Sequence, residues 1–420
     1  MNRFLTAFAG VVCLLVAVAT TSAAGNWSGT DAVVEGVRTI QNPATPVEPP
    51  ARVEMKELWR IGGDTDNEDE FFGVISKILA DGDGNVYLLD SQLHEIKIFS
   101  PDGEFVRTIG AEGEGPGEFQ FATDMFFTPT GNVGVMQAFP PKIVQLSKTG
   151  EPAGLYEIAE TPDPGFRFLL NARTAGDYLV IAAGASNPGE GTFTQSRYLA
   201  ATTSEKEIVR YYSEDRELNI ANMVIDESKW DTFDRRWDLG PDRRVYAVLE
   251  QGAYRIHVWK EDGSVDRVIE REYEPLVRTD DERDRMLEIY KSFSRQWGGG
   301  NAKFEINDTH RGIEQFYIRD DNSLWVLTSH GSRQNPEGTI GTYDVFDPEG
   351  RFIKQVTLTG EGDPTEDFAF FVGNRVYIVR GFLNAAMASL GGGDGDDSDE
   401  EPEPVAVICY MLDDDVVAMK

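Results

Sequence analysis

An all-β, six-bladed β-propeller built from four-stranded antiparallel blades is the fold this sequence predicts, and three observations predict it. An apolar run, a tight turn rich in Gly, Asn and Asp, and a second run carrying Tyr, Trp or Val recur six times along the chain. One copy, residues 75–110, is complete: ISKILAD, the turn DGDGN, VYLLD, EIKIFS, the turn PDGE and FVRTIG supply four strands. The third observation concerns the ends. MKELWRIGG at residues 55–63 matches the outer strand GEFVRTIG of that copy but lacks the strands that should precede it. Three unfinished strands, EDFAFFV, NRVYIVRG and VAVICYML, stand at the other end of the chain. Pairing the two ends closes the ring and removes both exposed sheet edges. The competing outer strand is Val416 to Met419, after the turn Asp413-Asp414-Asp415.

In chain order, residues 1–24 have the form of a secretory signal peptide: Arg3, an apolar stretch over 4–18, then Ser22-Ala23-Ala24. The alternative is an uncleaved N-terminal membrane anchor. A lipid-modified Cys13 is disfavoured, because Val11 and Val12 stand where a small residue is needed. No later stretch approaches the roughly 18 apolar residues that span a bilayer, so the expected location is periplasmic or secreted. Residues 25–50, rich in Gly, Thr, Asn and Pro without periodicity, read as a flexible linker. The propeller then occupies 51–420. Its second blade spans about 122–158, with turns TPTGN and SKTGE, and its third about 166–212, with TAGD and TSEKE. The fourth covers about 231–272, with GPDRR and KEDGS, the fifth about 313–358, with RDDNS and DPEGR, and the sixth turns at VGNR. Gly, Asn and Asp recur at these corners because hairpin turns need positive φ.

In a propeller, first-to-second and third-to-fourth strand turns fall on one face, and all other connections fall on the other. The first set is short throughout. The long excursions, 62–71, 111–121, 184–196, 213–230, 273–312, 329–339 and 381–404, all belong to the second face, where a binding site over the central channel is expected. The insertion 273–312 contains a helix. Thr279 with Glu282 forms a capping box, acids fill the first turn, Lys291 and Arg295 lie late, and Gly298 to Gly300 stops it. Met286, Ile289, Tyr290, Phe293 and Trp297 share one face, which suits either a structural plug or a lid hinged on the glycines. The acidic loop at about 381–404, with GGGDGDDSDEEPEP at its end, reads as disordered, with Ca2+ capture by its carboxylates the alternative.

Acidic residues exceed basic ones by 33, which disfavours nucleic acid and anionic lipid as partners. Cys409 is the one cysteine left after signal removal, so no intramolecular disulfide forms, and within VAVICYML it reads as a buried apolar residue. A monomer is expected.

The runs GEGPGEF (113–119), GNVYLLD (84–90) and IKIFSPDGEF (96–105) resemble the NHL-repeat and TolB-like six-bladed propellers of bacteria. One departure is visible: Phe121-Ala122 stand where NHL repeats usually place a proline. The resemblance implies a fold, and a range of functions that includes ligand and protein binders, lactonases and lyases.

Chemistry is less legible. DGDGN at 81–85 imitates the start of an EF-hand loop, but position twelve is Gln92, so it reads as a hairpin turn. Neither GxSxG nor HExxH occurs. Of the four histidines, His94, His310 and His330 fall on the insertion face and His257 in a strand; convergence of those three would make a Zn2+ site of the kind the lyase-like propellers imply. Channel carboxylates would serve Ca2+ in a lactonase-like site. Trp230, Arg235, Arg236, Trp237, Trp297 and Arg311 belong to the same face and suit either an anionic or sugar-like ligand or plain blade packing. No catalytic residue is named. The expected function is an exported, non-catalytic propeller that binds a protein, peptide or small ligand through the loop-rich face. The alternatives are a metal-dependent lactonase- or lyase-type enzyme and a purely structural envelope protein.

Overall fold

A computed structural model describes residues 27–161, 163–219, 221–229, 235–296, 302–389 and 403–413. Six sheets each contain an antiparallel meander, and their innermost strands are Ile75–Ala80, Ala122–Phe127, Phe166–Ala175, Trp237–Leu239, Ile313–Ile318 and Phe368–Val372. The core is divided among six clusters, and each cluster is the interface between two consecutive blades. This division explains the sequence pattern. Along Val86–Asp90 every residue is buried, with Val86 and Leu88 packed toward the sixth blade and Tyr87 and Leu89 toward the second. Side chains alternate across a strand as usual, but both faces are covered, so the strand reads as a continuous apolar run.

The ring closes as expected. Lys56–Gly62 pairs antiparallel with Ala406–Met411, setting Trp59 opposite Cys409 and Ile61 opposite Val407. Trp59 also covers the turn at Gly103, whose φ of +85° and close approach, 2.7 Å from a built Cβ to the indole, leave room only for glycine. The fold is a six-bladed β-propeller. Val416 to Met419, the competing strand, lies outside the described residues.

Two expectations need correction. The segment read as a flexible linker is strand-forming: Thr30–Val34 and Val37–Asn42 make a hairpin, and Val37–Asn42 runs parallel along Val265–Arg271, the outer strand of the fourth blade. Ala51–Glu54 then runs parallel along Phe352–Thr359, the outer strand of the fifth. The N-terminal chain is thus a strap that adds strands to the fourth and fifth blades before completing the sixth. Asn42, 3% exposed, pins it. Its amide donates to the carbonyls of Glu270 and Gly350 at 2.9 Å each, and its Oδ1 accepts from the Phe352 amide at 2.8 Å and the Trp27 indole at 2.9 Å. Asn42→Ala strands all four partners and is expected to cost about 2 kcal/mol, measured by denaturant unfolding.

The second correction concerns the third blade. Much of 184–196 and 213–219, read as loop, is strand: Tyr178–Pro188, Thr192–Thr202 and Glu207–Asn219 run 11, 11 and 13 residues. The second strand of the first blade has five residues, so the third blade rises roughly 20 Å further over the loop-rich face.

The helix predicted in the largest insertion forms as α1, Asp280–Gln296. Its capping box is present, with the Thr279 amide donating to Glu282 at 2.7 Å and the Glu282 amide to Thr279 Oγ1 at 3.3 Å. Two shorter helices, α2 (Ser329–Arg333) and α3 (Phe382–Ser389), also stand on that face. The Gly298 to Gly300 stop, most of the acidic loop and the signal-like segment lie outside the described residues.

Candidate functional site

In four blades the innermost strand slips register by one residue at the same height, and the residue that follows the slip is polar: Lys77, Asp124, Asn171 and Gln315. A bulge re-aims side chains, and these bring polar groups between strands that otherwise carry apolar ones. Asp124 pairs with Lys77 at 2.9 Å and with Arg173 at 3.0 Å, and Arg173 reaches on to Asp238 at 3.3 Å. Asp238 accepts from the Ile318 amide at 3.0 Å, and the Trp237 indole donates to Asn171 at 2.6 Å. A belt of alternating charge therefore joins the innermost strands of the first four blades, and the Ile318 amide ties it to the fifth. Burial, and then the Arg173 charge, hold the Lys77 ammonium below its ordinary pKa. Burial pushes the Asp124 carboxyl up, but Lys77 and Arg173 outweigh it and leave the group below the usual carboxylate range. The belt neutralises itself, so its acids and bases are engaged with one another.

The basic and aromatic residues singled out from the sequence gather beside this belt. Arg235 stacks on Phe368 with its guanidinium 3.4 Å from the ring centre, and also faces Phe382 of α3 at 4.9 Å. Arg236 and Trp237 are each 1% exposed, and burial, followed by the nearby charge of Arg311, pushes Arg236 down to about 9. Arg311 lies against the Tyr290 hydroxyl of α1. These contacts are the packing alternative in physical form. Trp230 and Trp297 lie outside the described residues.

The histidines are dispersed. His94 occupies a left-handed turn of the first blade with φ of 56°. His310 is buried with Nε2 3.2 Å from Glu282, its pKa lowered by burial and then by Arg333 and Arg278. His257 packs on Trp259, and His330 stands on α2. Among the described residues no group of three or more His, Cys, Asp and Glu side chains could hold a metal ion.

The insertions after the third and fourth blades cover part of the loop-rich face by binding each other. Val224–Asp226 pairs in parallel with Lys303–Glu305. Below this pair Arg278 meets Glu227 through two bonds of 2.6 and 2.7 Å, with both side chains at most 2% exposed. The Asn307 amide donates to the same carboxylate at 2.8 Å, and Gln251 adds a longer contact at 3.3 Å. Across the face, Arg285 of α1 clasps Glu366 with bonds of 2.6 and 2.7 Å. The helix is therefore tied down at both sides.

Beside this cover, between the fourth and fifth blades, opens a cleft of about 330 Å³. Ala44 of the strap, Arg271 and Tyr273 of the fourth blade, and His330, Asn335 and Gln355 of the fifth line it. Beneath this lining Asp344 is buried, and it accepts from Arg271 at 2.6 Å, Gln355 at 2.8 Å and the Tyr254 hydroxyl at 2.9 Å. Burial raises the Asp344 carboxyl despite Arg271. On the rim, Tyr273 bonds Ser329 at 2.7 Å, and His330 lies 2.8 Å from both the Glu274 carbonyl and Gln334. Arg271, Tyr273, His330, Gln334, Asn335 and Gln355 are each held by a hydrogen bond to a neighbouring group. The sequence offered only His330 as a pointer, because the remaining residues come from two blades and the strap and form no local motif.

A family model described as a 6-bladed beta-propeller, DUF5128, matches residues 65–158. Among curated proteins none matches. Similar solved structures include a member of the duf4221 family from Bacteroides vulgatus, at 12% identity over 85% of this chain and 97% of that chain, with a TM-score of 0.46. Regucalcin, a calcium-binding protein from Agrobacterium tumefaciens, is 9% identical over 86% and 97%, with a TM-score of 0.41. Virginiamycin B lyase from Staphylococcus aureus is 11% identical over 86% and 100%, also with a TM-score of 0.41. Among the described residues no helix is long and apolar enough to cross a membrane.

Proposed function

We propose that the protein is an exported binding propeller that takes a small polar ligand, or the end of a peptide, in the cleft between its fourth and fifth blades. The observation that carries this reading is the cleft itself: at about 330 Å³ it reaches the size of small-ligand sites, and its donors and acceptors are already oriented by their neighbours. Binding rather than turnover is favoured because the channel's ionisable groups, Lys77, Asp124, Arg173 and Asp238, are paired with one another. The likeness of GEGPGEF to NHL repeats supports a place among propellers that recognise partners, and the signal-like residues 1–24 support periplasmic or extracellular work.

The reading is tested by calorimetry with N-acetylglucosamine oligomers and with short neutral peptides. A compound that binds the parent protein is expected to lose about tenfold in affinity in His330→Ala and in Gln334→Ala, since each removes one side of the polar rim. Binding indifferent to both changes places the site elsewhere and sinks the proposal.

A further inference from the structure

We propose that the uncovered half of the loop-rich face, over the first three blades, is a docking surface for a basic polypeptide segment of a partner protein, separate from the cleft. Four phenylalanines stand out on it. Phe71, Phe121 and Phe166 are 64%, 65% and 63% exposed at the approaches to the innermost strands of the first, second and third blades, and Phe139 is 55% exposed in the neighbouring turn of the second. Large apolar side chains left singly on a surface need no explanation, but four on one face of consecutive blades do.

Their exposure is built. Lys97, itself buried, donates to the carbonyls of Glu68, Asp69 and Phe71 at 3.2, 3.1 and 2.8 Å, which fixes the turn that carries Phe71. Gln137, 2% exposed, does the same for two others. Its Oε1 accepts from the Gln120 amide at 2.9 Å, and its amide donates to the carbonyls of Phe139 and Pro140 at 3.3 and 3.0 Å. Phe121 also holds φ at 48°, a left-handed conformation that a bulky side chain avoids unless its surroundings impose it. Buried polar clamps and a strained backbone thus keep aromatic rings in water.

Charge identifies the occupant. The loop-face connections of these three blades, residues 63–74, 91–94, 110–121, 138–141, 156–165 and 189–191, contain twelve Asp and Glu and no Lys or Arg. The insertion 272–312 over the other half carries seven Lys and Arg against nine Asp and Glu, so its charges nearly balance, and the one-signed surface is the one over the first three blades. Carboxylates interspersed with aromatic faces attract ammonium and guanidinium groups both directly and through the rings, and they repel anionic lipid and nucleic acid. The raised strands of the third blade, beginning at Phe166, wall the surface on one side and leave it open along the first and second. A basic, apolar-punctuated polypeptide suits that shape and charge.

The test uses the full mature protein and a fluorescent peptide of about ten residues alternating Lys and Leu, read by anisotropy. Binding is expected that weakens about tenfold in the double variant Phe121→Ser with Phe139→Ser, and about threefold in Glu112→Gln with Glu114→Gln, with melting temperatures unchanged because all four side chains project into solvent or the acidic rim. The same peptide with Glu for Lys is expected not to bind. The proposal is overturned if the Lys-Leu peptide does not bind, if it binds the phenylalanine variant as tightly as the parent, or if a neutral oligosaccharide rather than the peptide is the probe whose binding those phenylalanines control.

Discussion

Shortened to begin at Asp64, the protein is expected to lose cooperative unfolding altogether, whereas a chain beginning at Met55 keeps it at a lower melting temperature. The difference between the two is one strand, Lys56–Gly62. Without it the sixth blade ends at Ala406–Met411 with an open edge, and the interface with the first blade loses Trp59 and Ile61, 9% and 3% exposed in the intact ring. Each of those side chains contributes roughly 1.5–3 kcal/mol of burial, and the partners they cover are uncovered in turn. The sum approaches the whole stability of an ordinary domain, about 5–15 kcal/mol. Removing only the strap before Met55 takes added strands from the fourth and fifth blades but leaves four-stranded meanders in both. Calorimetry with near-ultraviolet circular dichroism separates these cases. A sharp transition at the parental temperature in the Asp64 chain would show that ring closure does not depend on this strand.

The second large effect is expected inside the cover. Arg278→Met leaves the Glu227 carboxylate buried with only neutral donors, Asn307 and Gln251, and should cost about 3–5 kcal/mol. The double variant Glu227→Leu with Arg278→Met removes both charges and should recover a good part of that loss, since desolvating an ion pair is itself expensive. Denaturant unfolding gives the energies, and protease cutting within 213–229 and 273–312 reports whether the two insertions have come apart. Equal stability of the single variant and the parent would mean that this pair does not hold the cover.

These features differ in how far the sequence discloses them. Blades were visible because inter-blade packing buries both faces of strands such as Val86–Asp90, which stand out as apolar runs between turns. The start of α1 was visible because a capping box is a local pattern at Thr279 and Glu282. The strap was not. Its pinning residue, Asn42, finds three of its four partners 228 to 310 residues away, and nothing near it announces an edge waiting on another blade. The extended ends of the third blade's strands read as loop for a related reason: TFTQSR at the start of Thr192–Thr202 lies where the sheet rises beyond its neighbours, so the apolar run that marks a buried strand is missing. The cleft, assembled from Arg271, Asn335, Gln355 and the strap, leaves no trace beyond His330. Phe121 did leave one, since it stands at the point where the repeat departs from its usual proline.

The strap also constrains the order in which this molecule can be assembled. A polypeptide leaves the ribosome from its N-terminus, so the strands that finish the fourth, fifth and sixth blades are made before any strand of those blades exists. They must wait without their blades while more than two hundred residues emerge, and Lys56–Gly62 must wait until Ala406–Met411 has appeared. A newborn chain therefore carries idle β-edges through almost its whole synthesis, a hazard for aggregation that lasts until its oldest segment meets its newest.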